Sequence, residues 1–183
     1  MLRYIVMRIV LAVLALFLLS PDVLAGGAVW TGKTVAVYDY TSPAWDGIIA
    51  QTVAEMNAML PKQAPRLLYR RMAEVPCAQA PMRKKAIVVC LVGAGDPSPA
   101  HASWWTHQHS ISRAQVRLSP SASPNNHRKE ACHELMHVLT SIQDNYAAAP
   151  DTSCVWGNLS SPGPFDVAYA KQVYRKHGEK RGR

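Results

Sequence analysis

The chain has 183 residues, 49% of them apolar, and a formal net charge of +8. That length and apolar share suit one compact domain with a hydrophobic core. No internal repeat, no linker between two domains and no recognised nucleic-acid module is visible, which argues against a repeat array, a two-domain chain and a specific nucleic-acid binder. Positive charge gathers at Arg70 and Arg71, from Arg83 to Lys85, and in the tail from Arg175 to Arg183. Such a field would attract an acidic polymer or an anionic envelope, and a solvated surface explains it equally well.

Residues 1–25 carry Arg3 and Arg8, an apolar run from Ile9 to Leu19, and the small-x-small ending Val23, Leu24, Ala25. This reads as a secretory signal peptide, and the run is too short for the roughly 20 residues of a membrane span. The mature part, residues 26–183, is expected to be one extracellular, monomeric domain with no membrane span. Loss of Arg3, Arg8 and Asp22 lowers the charge only to +7. Cys77, Cys90, Cys132 and Cys154 form an even set without a CxxC pair, which in an oxidising compartment predicts two disulfides. Three pairings are open, and the nearest-neighbour one, Cys77 with Cys90 and Cys132 with Cys154, is favoured.

In chain order, Lys33 to Tyr40 is β-branched and aromatic and reads as a first strand. Ser42 and Pro43 start a helix, Trp45, Ile48, Ile49, Val53, Met56 and Leu60 follow helical spacing, and Pro61 ends it. Arg66 to Met72 and the almost wholly apolar Ala86 to Val92 read as two more strands, the latter interior to a sheet. Gly93 to Ala102 is expected to be loop. From Ser112 to Leu118 apolar and polar residues alternate, which marks a half-exposed strand. A helix follows from about His127 to Ser141, capped by Ser123 or an asparagine. An irregular stretch, Asp144 to Pro164, leads to a last helix from about Phe165 to His177 with Phe165, Ala168, Tyr169, Val173 and Tyr174 inward.

Within the long helix lies His-Glu-Leu-Met-His, residues 133 to 137. His133 and His137 stand one helical turn apart, so both rings can reach one metal ion. Glu134 is turned about 100° around the helix, where it can reach a water on that ion but not share the imidazoles' position. Zinc would acidify the water, Glu134 would take its proton, and the hydroxide would attack a scissile carbonyl. The bland alternative is a chance match on a core helix; its place on a strong helix in a secreted chain favours the metal site. A third protein ligand is required, and Asp144 is the best candidate. A helix continued to Asp144 would carry it about 10 Å past His137 along the axis, so the helix must stop near Thr140 or Ser141 and turn back.

The stretch HELMHVLTSIQDNY resembles the zinc-binding signature of the metzincin metallopeptidases, HExxHxxGxxH or HExxHxxGxxD. It is most similar to the snapalysin-like branch, with its aspartate ligand and following tyrosine. ISRAQVRL and FDVAYAKQVY are also similar to the edge strand and C-terminal helix of matrixin-like members. The resemblance covers roughly Trp104 to Tyr174, and only the signature is specific. It implies zinc held by His133, His137 and Asp144, with Glu134 as catalytic base. The chain departs from the pattern: Thr140 stands where the family has its turn glycine, and Gln143 holds the usual third-ligand position, so Asp144 fits with one inserted residue. Trp156 replaces the methionine of the turn beneath the zinc. A Cys132 to Cys154 bond would staple that turn to the active-site helix. Few residues separate Ala25 from the first strand, which leaves no room for an inhibitory pro-domain.

His107 and His109 alternate on a candidate strand and form a second possible metal pair, with His101 nearby; edge or surface positions are the plainer reading. Tyr146 is a candidate oxyanion donor. Trp104 and Trp105 are candidates for flanking a cleft, with at least one in the core. The serines from Asp151 to Ser161 show no nucleophile elbow, against a serine hydrolase. The expected fold is therefore α/β (α+β), a metzincin-like single domain with a mostly parallel twisted sheet, an active-site helix and a C-terminal helix. The expected activity is zinc-dependent hydrolysis of protein or peptide substrates. The alternative is a secreted basic binding protein that keeps the fold without turnover.

Overall fold

The apolar run Ala86–Leu91 forms β3, and all six of its residues are buried. The computed structural model describes residues 28–93, 100–142 and 151–181; residues 1–25, expected from the sequence to be a signal peptide, and Gln143, Asp144 and Tyr146 lie outside them. β3 is central in a five-stranded sheet of order β2-β1-β3-β5-β4, with β1 at Thr34–Asp39, β2 at Arg66–Arg71, β4 at His101–His107 and β5 at Ser110–Leu118. β2, β1, β3 and β5 run parallel, and β4 pairs antiparallel with β5 as an edge. The helices are α1 (Ile48–Met59), α2 (Pro124–Thr140) and α3 (Pro164–Arg181). The result is a mixed α/β domain with a mostly parallel sheet.

Both faces of β3 are covered, which is why its sequence shows no polar alternation. Ile87, Val89 and Leu91 join the main core with Ile49, Val53 and Met56 of α1, Leu135 and Val138 of α2, and Tyr169 and Val173 of α3. Val88 and Cys90 face a smaller cluster with Tyr40, Cys77 and Ala80. The Cys77–Cys90 disulfide closes that second cluster, and Cys132–Cys154 ties α2 to the segment before α3. Both are the nearest-neighbour pairs.

At the C-terminal end of β1, the buried Asp39 carboxylate accepts bonds from Thr41 and from the Tyr69 hydroxyl, and Arg71 pairs with it at 3.0 Å. Burial, with Asp39 adding to it, pushes the Tyr69 phenol up to about 12. This network ties β1 to β2.

Several sequence expectations are corrected. The first helix is split: Pro43–Trp45 is a single 3-10 turn, Gly47 adopts the left-handed conformation at φ 76°, and α1 begins only at Ile48. The expected loop up to Ala102 ends sooner, because β4 starts at His101. α2 begins at Pro124, since a proline in the first helical position lacks only a donor that would be orphaned there anyway. On α3, Ala168 is exposed while Ala170 and Asp166 are buried. His107 ends β4, but His109 sits in the hairpin turn at φ 64°, so the two do not alternate along one strand. Among the described residues no helix is long and apolar enough to cross a membrane.

Candidate metal centre

α2 starts after Ser123, whose backbone is extended and whose carbonyl accepts from Asn126 N–H at 2.8 Å. Its apolar spacing buries Ala131, Leu135, Val138 and Leu139 in the main core. Thr140 stays helical and back-bonds its hydroxyl to the Met136 carbonyl. Ser141 then takes the left-handed conformation, φ 53° and ψ 27°, and its N–H returns to the His137 carbonyl at 2.8 Å. The helix thus stops at the place expected from the sequence. The left-handed position falls on Ser141, which lacks the β-branch that makes this conformation so costly for Thr140.

The last carbonyls of a helix have no partner within it. Here the Val138 carbonyl accepts from the Trp30 indole Nε1 at 2.8 Å, and the Leu139 carbonyl accepts from the buried Tyr174 hydroxyl at 2.8 Å. Three separate parts of the chain, the entry to β1, α3 and the turn itself, therefore hold this terminus.

The two imidazoles of this terminus lie together. The His133 and His137 rings have centroids 4.7 Å apart and cross at 77°. The Glu134 carboxylate lies 3.9 Å from His133 Nε2. Glu134 and His137 are buried, while the His133 side chain keeps 26% exposure. All three border a cleft of about 180 Å3 between α2 and β4, together with His101, Ala102 and Trp104. The strand register puts Ala102 opposite Val116 and Trp104 opposite Ala114, on the main-core face. His101, at the start of β4, pairs with Arg117 and also borders the cleft.

His137 Nδ1 is 2.6 Å from the Ile142 carbonyl oxygen. A carbonyl can only accept, so Nδ1 carries a proton, and in the neutral ring the lone pair is left on Nε2. A carbonyl behind one ring nitrogen is the usual way a metal-binding histidine is oriented. The donor set thus suits a zinc ion: two neighbouring imidazoles, one with its tautomer fixed, and a buried carboxylate at their side. Among the described residues no group of three or more histidine, cysteine or acidic side chains is close enough to hold a metal, and Asp144 lies outside them.

The segment below the helix terminus is organised by a residue that sequence reading passed over. Asp166, fully buried in the first turn of α3, accepts from the Ser153 hydroxyl and from the N–H groups of Cys154 and Gly163, at 2.6 to 2.9 Å. Its only signal in sequence was an acidic residue in the first turn after Pro164. Trp156 packs edge-on against Phe165 at 5.3 Å and is not among the residues bordering the cleft. Cys154, disulfide-bonded to Cys132, brings this segment to the residue before His133. Trp104 borders the cleft, whereas Trp105 is exposed and lies on the other sheet face beside Arg113. A scan against protein-family models found no match, and neither did a search of curated proteins.

Proposed function

We propose that the chain is a secreted zinc-dependent endopeptidase of metzincin-like type, acting on protein or peptide substrates. The observation that carries this reading is the pairing of His133 and His137 over one cleft, with the His137 tautomer set by Ile142 and Glu134 beside them. In this reading His133 and His137 hold the zinc through their rings, and Asp144 completes the set. The left-handed residue is Ser141, one position after the family's glycine, and Asp144 is likewise one position late. The three-residue step from turn to acid is thereby kept.

Bound zinc would supply a Lewis acid that lowers the pKa of a water and polarises the scissile carbonyl. Glu134 would serve as the general base, its carboxylate taking a proton from the attacking water and handing it to the leaving amine, a role its buried position beside His133 suits. His137 keeps its ring angle through Ile142. β4 is a sheet edge along the cleft, against which an extended peptide can pair as a further strand. Secretion follows in this reading from residues 1–25 and agrees with both disulfides.

Zinc titration followed by calorimetry tests the ligand set. One zinc per chain is expected for the parent, with affinity lowered at least tenfold in His133→Ala, His137→Ala and Asp144→Ala. Unchanged zinc affinity in the two histidine variants would overturn the metal site, and unchanged affinity in Asp144→Ala alone would remove that residue from it.

A further inference from the structure

A second cavity, of about 560 Å3, lies at the turn end of the β4–β5 hairpin, beside the residues that lead into β1 and β3. Its volume falls in the range of small-molecule sites, about 300 to 1,000 Å3. Lys84, Lys85 and Arg113 line it, no carboxylate does, and among the described residues none of the three is in an ion pair. Unneutralised cations around a concave surface concentrate anions there.

The wall also carries an aromatic platform and hydroxyls. Trp105 is 39% exposed, and the Arg113 guanidinium sits 4.7 Å above its ring. Thr34 and Ser112 add hydroxyl groups, the latter anchored on the Trp105 carbonyl at 3.0 Å. Lys85 holds the left-handed conformation at φ 56°, with its N–H on the Ser112 carbonyl at 2.7 Å. A lysine kept in that conformation, at a cost of roughly 1 to 2 kcal/mol, is the kind of strain that collects at ligand sites.

We propose that this cavity binds an anionic saccharide, whose sulfate or carboxylate groups meet Lys84, Lys85 and Arg113 while a sugar ring lies by Trp105. Single-stranded nucleic acid would need successive stacking platforms along a groove, whereas Trp105 is the one exposed aromatic ring among the large apolar side chains described. The inference does not depend on the peptidase reading, since no residue of the cleft borders this cavity.

Calorimetric titration of the purified protein with a heparin-derived tetrasaccharide tests it, beside the fully desulfated, reduced-carboxyl form and a single-stranded oligonucleotide. The exposed pair Lys84→Gln/Lys85→Gln should weaken tetrasaccharide binding at least tenfold. Lys62→Gln/Lys171→Gln removes the same charge elsewhere and should change it less than threefold. Trp105→Ala should weaken it at least fivefold, and the neutral sugar should bind at least tenfold more weakly than the charged one. Equal losses in the two lysine pairs would overturn the site in favour of diffuse surface charge. Equal binding of charged and neutral sugars, no effect of Trp105→Ala, or tighter binding of the oligonucleotide would also overturn it. Thermal unfolding of each variant within a few degrees of the parent shows that lost binding is not lost folding.

Discussion

His137 donates its Nδ1 proton to the carbonyl oxygen of Ile142, five residues further on, across 2.6 Å. The bond links a proposed metal ligand to the first residue beyond the left-handed turn at Ser141, so the turn that ends α2 also decides which ring nitrogen carries a lone pair. Nitrogen-15 NMR of the metal-free protein at neutral pH is expected to show His137 as the Nδ1–H tautomer. A dominant Nε2–H form would show that Ile142 does not orient the ring.

The Tyr174 hydroxyl supplies the buried Leu139 carbonyl with its side-chain donor. In Tyr174→Phe that carbonyl stays buried and loses this donor, which is expected to cost about 1 to 3 kcal/mol. Urea unfolding with an unchanged m-value checks it; a loss below about 0.5 kcal/mol would mean that water replaces the hydroxyl.

Gly157 and Gly163 pack directly on backbone. A Cβ on Gly157 would come within 2.3 Å of the Asp151 carbonyl oxygen, and one on Gly163 within 2.1 Å of that of Thr152. Gly157→Ala is therefore expected to destabilise by at least about 1 to 3 kcal/mol, as overpacking of a close-packed site does. Gly93→Ala, where a Cβ meets nothing within 4 Å, serves as the control and should be near neutral; urea unfolding of both variants checks the difference.

The Cys132–Cys154 bond closes a loop with a sequence separation of 22 residues. The chain-entropy relation gives about 3 kcal/mol for a loop of that size. Cys132→Ser/Cys154→Ser should lose about that much stability by denaturant unfolding. It should also bind zinc more weakly than the parent, because the tether sits beside His133. Unchanged zinc affinity would limit the bridge to stability.

The elements whose residues carry their own physical signature were readable in the sequence. β3 declared itself by an unbroken apolar run, β5 by the alternation of Ala114, Val116 and Leu118 with Arg113, Gln115 and Arg117, and the closeness of the His133 and His137 rings by their one-turn spacing. Interactions between distant parts of the chain were not readable. Nothing local marks Trp30 as the donor to Val138, or Asp166 as the acceptor that shapes Ser153 to Gly163. Gly47 could have been read as a break, but the helical spacing of Trp45, Ile48 and Ile49 runs across it and concealed the change from a 3-10 turn to an α-helix. His101 and Trp104 come to the cleft through the pairing of β4 with β5, a relationship between strands that nothing local in the sequence marks.

The most direct test of the central claim is hydrolysis of a general protein substrate by the zinc-loaded protein and by its Glu134→Ala variant, each with confirmed zinc content. Loss of a general base is expected to lower turnover by about 10²- to 10⁴-fold with zinc still bound, and a chelator should abolish activity in the parent. Equal turnover in the two zinc-loaded proteins would contradict Glu134 as the base, and no turnover in the zinc-loaded parent would leave a metal-binding protein in place of a peptidase.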